Sequence, residues 1–258
     1  MSAPALRPRS ASEIVDAAFQ ILRAHYGAFV TCSAIAYAPV LLLRLLVLGD
    51  PSRLLSLDPS ALLVVWWYTM AAFLVGWLTF SLMSAVLQVC ASQVYLGGEI
   101  DVGAAVRQAL PRTPQVLAAA VIRFVAMGVG FLLFLFPVLY VVALLFAVTP
   151  VIVLEHSGVA AAMSRSAALS RGRKWHILNT LGLVAIIYYV LVFGFSVVGS
   201  IGGNFVVATV VSAVVTVLVY PVVAIAETLL YYDARIQSEG LDIELMTDAL
   251  DAPSAPAT

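Results

Sequence analysis

Histidines, paired carboxylates and activated serines carry most side-chain catalysis, so their placement is the first question. The chain has three histidines, His25, His156 and His176. Each falls where an apolar segment is expected to end or begin, and at such boundaries an imidazole is ordinarily solvated. Glu155-His156 together with His176 offers donors to a metal, but no ligand pair at i, i+4 accompanies them. No Gly-x-Ser-x-Gly elbow presents a serine nucleophile. Gly97-Gly98 and Gly202-Gly203 read as loop hinges and not as phosphate cradles. No catalytic set, metal site or cofactor is therefore expected, and the reading favours a protein that is not an enzyme.

The polar residues that demand an account lie inside apolar runs. Arg123 sits about two turns into one run, Glu227 near the end of another, and Glu155 closes a third. A charge in hydrocarbon is costly unless it is paired or reaches water. Counted inward from one side, all three fall in the same leaflet, so Arg123 can pair with either acid. Two readings stand: a buried ion pair or snorkelling arginine that fixes helix order, and a polar cavity for an anionic headgroup or solute. The structural one is preferred.

The elements that position these residues follow from composition. Of the 258 residues, 63% are hydrophobic and 10% charged, and the mean hydropathy is +1.06. A soluble domain needs far more polar surface. Six apolar segments are expected, near 28–48, 61–95, 116–135, 138–154, 175–198 and 205–232. A hydrocarbon core of ~30 Å takes about 20 helical residues, so each segment is read as a span. The second is overlong, and its polar end, Gln88 to Tyr95, is expected to leave the membrane still helical. Asp58-Pro59 and Asn204 are helix-start signals, and Pro137 separates the third and fourth segments. Cys32 and Cys90 lie far apart in apolar runs and read as small buried residues. The lead before the first segment is too long, and the segment too extended, for a cleavable signal.

Charge placement agrees with six spans. Arg7, Arg9, Arg23, Arg107, Arg112, Arg165, Arg171, Arg173, Lys174 and Arg235 are ten of the thirteen Lys and Arg, and they share one side if six segments alternate. The positive-inside rule then puts both termini in the cytoplasm. The densest cluster, Arg165, Arg171, Arg173 and Lys174, ends at Trp175. It is read as a membrane boundary with an interfacial anchor, a role that Trp66, Trp67 and Tyr68 take on the outer side. Binding of anionic lipid headgroups by the cluster is compatible with this. Nucleic-acid binding is not expected, because no recognition fold surrounds it.

Three stretches on that side repeat a pattern. Residues 12–27 put Ile14, Val15, Ala18, Ile21, Leu22 and Tyr26 on one helical face, and Ser10 and Glu13 have capping-box spacing. Residues 101–112 put Val102, Val106, Ala109 and Leu110 together. Residues 157–173 do the same, more weakly, with Val159, Met163 and Leu169. Each precedes two spans, so the chain reads as three units of one amphipathic helix and two spanning helices. These helices are expected to form the floor of the bundle or to lie on the membrane. Small-residue faces, Ala208/Ser212/Thr216 and Ala118/Ala126/Gly130, allow close helix approach.

The stretches ASEIVDAAFQILRAHYGAF, VTPVIVLEHSGVAAAMSRSAALSRGRKWHIL and YPVVAIAETLLYYDARIQSEGLDIELM resemble the six-helix membrane domain of some bacterial glycerophosphodiester phosphodiesterases. They are similar too to stand-alone bacterial membrane proteins of the same build with no assigned activity. The resemblance implies fold and location. The phosphodiesterase chemistry does not carry over, because the His-Arg pair and Glu-x-Asp metal group of that family's soluble barrel have no counterpart here.

The expectation is an all-α membrane protein with six transmembrane helices and cytoplasmic amphipathic helices preceding each pair. Residues 1–27 form a cytoplasmic segment, 28–232 the bundle, with amphipathic helices near 101–112 and 157–173, and 233–258 an acidic cytoplasmic tail with a disordered end. The location implied is the bacterial inner membrane. The expected function is a scaffold, accessory subunit or lipid-interacting bundle, and the alternative is a transporter of an amphiphile or small anion using Arg123. Expected partners are membrane lipids, with anionic headgroups at the cytoplasmic face, and a membrane-protein partner or a second copy.

Overall fold

The computed structural model describes residues 9–48, 59–133, 135–201 and 205–239. These residues are helical, with no strand among them. The helices are α1 (Ala11–Ala24), α2 (Tyr26–Leu48), α3 (Pro59–Tyr95), α4 (Val102–Ala109), α5 (Thr113–Leu133), α6 (Leu135–Leu144), α7 (Val148–Leu154), α8 (Val159–Leu169), α9 (Lys174–Ser200) and α10 (Phe205–Glu239). A single 3-10 turn, Leu110–Arg112, joins α4 to α5. Asp58, Asn204, Arg7, Arg53 and the tail from residue 240 lie outside the described residues.

Local chemistry accounts for the helix ends. Ser10 caps α1 by the reciprocal box: its hydroxyl accepts from Glu13 N–H, and the Glu13 carboxylate accepts from Ser10 N–H at 2.8 Å. Asp101 caps α4 through Ala104 N–H, also at 2.8 Å. Gly97, with φ +83°, closes α3. Gly98 N–H donates to Gln93 C=O and Gly97 N–H to Val94 C=O, the two bonds of a Schellman cap. Gly97-Gly98 is thus a helix stop as much as a hinge.

Five stretches are long and apolar enough to cross a bilayer: Phe73–Tyr95, Val102–Leu133, Phe136–Leu154, Lys174–Gly199 and Val206–Glu239. The Tyr26–Ala38 part of α2 is apolar but shorter. Apolar side chains cover the outside of the bundle, with Phe131 75%, Leu132 85% and Ile201 80% exposed. A surface of that kind needs lipid as its solvent.

The buried residues concentrate at one end. There Met83 to Tyr95 of α3, Ala143 to Val153, and Val222 to Ile236 of α10 pack together. α10 is the axis, touching α1, α2, α3 and α9. The apolar face of α1, Ile14, Val15, Ala18 and Leu22, is buried, and α1 packs on α9 and α10. It is a floor piece of the bundle. α4 is rotated from the sequence expectation: Ala105 and Ala109 are buried, while Val106 and Leu110 are exposed. Alanines let α4 lie close against α3, its main neighbour.

Pro137 stands in the first turn of α6, where its missing N–H is harmless. α5 and α6 form a tight pair. A Cβ added at Gly130 would stand 3.1 Å from Val138 N, so Gly130 serves this hairpin, while Ala118 of the same proposed face is exposed. Gly199 plays the same part between α9 and α10, where an added Cβ would be 3.2 Å from Ala208 Cα. The fourth apolar segment is not one helix. It breaks between Leu144 and Val148, and Ser166 of α8 repairs the break: its hydroxyl donates to Leu144 C=O at 2.7 Å and accepts from Ala147 N–H at 3.1 Å.

Candidate functional site

Two polar groups and one groove meet in the packed end of the bundle. The first group is a charge network on the floor. Glu155, the C-cap of α7, accepts from Arg165 of α8 and, at 2.8 Å, from the Tyr231 hydroxyl of α10. Arg165 also pairs with Glu239, which in turn pairs with Arg235 one turn back on α10. Burial opposes the charge of Arg165, and the two carboxylates outweigh it, so its pKa lies above the ordinary arginine value. Nearby, Asp233 is 3% exposed. It accepts from Arg9 N–H at 2.8 Å and from the Gln237 amide, with His176 Nε2 at 3.5 Å.

The second group lies deeper. The Gln88 amide of α3 donates to Glu227 Oε2 at 2.7 Å and to the Ser84 hydroxyl at 3.1 Å, while Ser84 approaches the same Oε2 at 3.5 Å. All described bonds to Glu227 converge on that one oxygen. Gln88 is fully buried and its Oε1 has no partner among the described residues. Arg123 of α5 is half-buried, and no ion pair between it and Glu227 is seen among the described residues. Glu227 is six residues before Asp233, hence about 9 Å further into the bundle along α10.

Beside Glu227 runs a groove of about 530 Å³ between α6, α9 and α10, within the ~300–1,000 Å³ of ligand cavities. Leu139 and Val142 form one wall, Trp175 to Tyr189 of α9 the second, and Tyr220, Val223 and Glu227 of α10 the third. From Trp175 to Tyr189 the groove is about 21 Å long. Trp175 is 74% exposed at one end. Gly182 opens the middle, for a Cβ there would meet nothing within 4 Å.

The sequence-derived candidates thus separate. Glu227 joins the groove. Glu155 and Arg165 join each other on the floor, so Glu155 is not the partner of Arg123. Arg173 donates to Ala234 C=O at 2.9 Å, and Lys174 stands 4.2 Å over the Tyr140 ring. Arg171 and Trp175 remain exposed, as a boundary role requires. Ser84 and Ser166 escaped the sequence reading, and Gln88 entered it only as the start of a polar helix end. The small polar residues at four-residue spacing, Ser84, Gln88 and Ser92, were the available signal. Cys32 and Cys90, far apart in sequence, are both buried free thiols. No three metal-ligating side chains cluster among the described residues. No family model, curated protein or solved structure matches the chain.

Proposed function

We propose that the chain is a non-enzymatic, multi-pass protein of the bacterial inner membrane that handles lipid, with the α6–α9–α10 groove as its binding surface. In this reading α2 is the first of six spans, both termini are cytoplasmic, and α1, α4 and α8 form the cytoplasmic floor. The groove is the observation that carries it. It is long, apolar, and edged at the floor end by an exposed tryptophan, which is the environment of an aliphatic chain lying along a protein wall. Arg171 is the exposed cation of the basic cluster and is the residue assigned to anionic headgroups, because Arg165 and Arg173 are engaged within the bundle.

Extraction of the tagged protein in its native lipid, followed by lipid and protein mass spectrometry, tests this. A lipid species enriched over the surrounding membrane, and lost when Gly182→Phe fills the groove, supports it. A stoichiometric protein partner with no enriched lipid would replace it with an accessory-subunit role. The transporter alternative rests on Arg123 and Glu227, two charges within the apolar helices. Flux of an amphiphile in proteoliposomes, abolished by Arg123→Leu in a folded protein, would favour it.

A further inference from the structure

We infer that the groove selects a single-chain amphiphile with an uncharged hydroxyl head, and that this hydroxyl meets Glu227 Oε1. The inference rests on the groove being a lipid site and specifies what the site prefers.

The carboxyl is one-sided. Gln88 and Ser84 both address Oε2 from α3, and Glu227 itself lines the groove. No described bond reaches Oε1. A carboxyl oxygen in apolar surroundings without a partner is unfavourable, so a bound molecule that supplies one gains by it. The walls around it are otherwise hydrocarbon and tyrosine rings, which suits a chain and not a large polar head.

The charge of the head follows from the surroundings of the carboxyl. A charged head would have to leave water for a groove lined almost wholly by apolar and aromatic side chains, which is costly. An anionic head would meet the carboxyl itself. A hydroxyl both donates and accepts, and so complements Oε1 whether or not that oxygen carries a proton, whereas an ammonium can only donate. The position agrees, because Glu227 lies about 9 Å inside the level of Asp233, too deep for a phosphate head that remains at the boundary.

The test uses the full chain in nanodiscs of phosphatidylethanolamine and phosphatidylglycerol. A photoactivatable hexadecanol is crosslinked, and the label is mapped by peptide mass spectrometry. Unlabelled hexadecanol, hexadecylamine, hexadecanoic acid and hexadecane compete. Labelling of the 175–189 peptide is expected, with hexadecanol competing about three- to fifteen-fold better than hexadecane, the range of one interhelical hydrogen bond in a membrane. Glu227→Leu should equalise alcohol and alkane while the crosslink persists, and Gly182→Phe should remove the crosslink. Equal competition by all four compounds in the unmodified protein would overturn the inference while leaving the groove a lipid site, and needs no variant. Preference for the amine would overturn it too. Absence of any label on α9 would refute the groove itself as a lipid site.

Discussion

Ser166→Ala should be among the most damaging conservative changes in the protein. The side chain is fully buried and serves two backbone groups stranded by the break between α6 and α7. Leu144 C=O is one of the last carbonyls of α6, and Ala147 N–H precedes the first turn of α7. Removing the hydroxyl leaves a buried N–H without a partner, at about 1–3 kcal/mol, and costs somewhat less for the carbonyl, which has a second lone pair. The sum is about 2–4 kcal/mol, or roughly 30- to 1,000-fold in the folding equilibrium. Ser170→Ala is the matched control, since Ser170 is equally buried but bonds only the local Ala167 C=O at 2.9 Å. It should cost about 1 kcal/mol or less. Reversible unfolding in detergent micelles, followed by tryptophan fluorescence, measures both. A Ser166→Ala cost no larger than that of Ser170→Ala would show that the break is satisfied in another way, and would refute the repair argument.

Glycine substitutions should change sign with position. Gly130→Ala and Gly199→Ala push a methyl toward backbone or Cβ atoms at 3.1–3.2 Å and should cost roughly 1–3 kcal/mol. Gly128→Ala and Gly194→Ala meet nothing within 4 Å and should be neutral or stabilise by up to about 1 kcal/mol through helix propensity, read by the same unfolding assay. Arg165→Met should free the end of α10 from α7 and α8, seen as faster limited proteolysis near residue 239. Because the Arg165 side chain is a third exposed, the global loss should be only about 1 kcal/mol or less. Reporter tags at the two ends should lie on the same, cytoplasmic face if α2 spans, and on opposite faces if only the five long stretches do.

Position along the chain, where a long apolar helix begins and ends, was mostly legible before the structure. Hydropathy set the extent of α3, α5 and α9 to within a few residues and the start of α10, which runs seven residues past the expected 232 to Glu239 because its polar end packs on the floor. The capping box of Ser10 and Glu13 set the start of α1. What escaped was a break within an apolar run. Leu144 to Val148 is hydrophobic throughout, so hydropathy passes over it. The available signal was Pro150, which has no N–H to offer Phe146 C=O and so favours a helix that begins just before it. Ser166, which repairs the break, comes from another element, and no local pattern links it to residue 147.

Azimuth around each helix was not legible, and the reason is physical. In water the apolar face of a helix marks the core, but in hydrocarbon the core and the solvent are equally apolar, and periodicity loses its meaning. Packing distance adds a second reason: in α4 Ala105 and Ala109 face in while Val106 is exposed, because small residues let the helix lie close against α3. Glu227 shows the first reason at the site. Arg123 and Glu155 were placed near its depth by counting along the chain, and charge alone offered Arg123 as its partner. The rotation of α3 decided otherwise, turning Ser84 and Gln88 toward Glu227 of α10, and no ion pair with Arg123 is seen among the described residues. The same rotation brings the described bonds of Glu227 to one carboxyl oxygen, Oε2, while the residue also lines the groove. The chemistry of the groove is therefore a property of how three helices are turned, and residue types at a given depth constrain it without determining it.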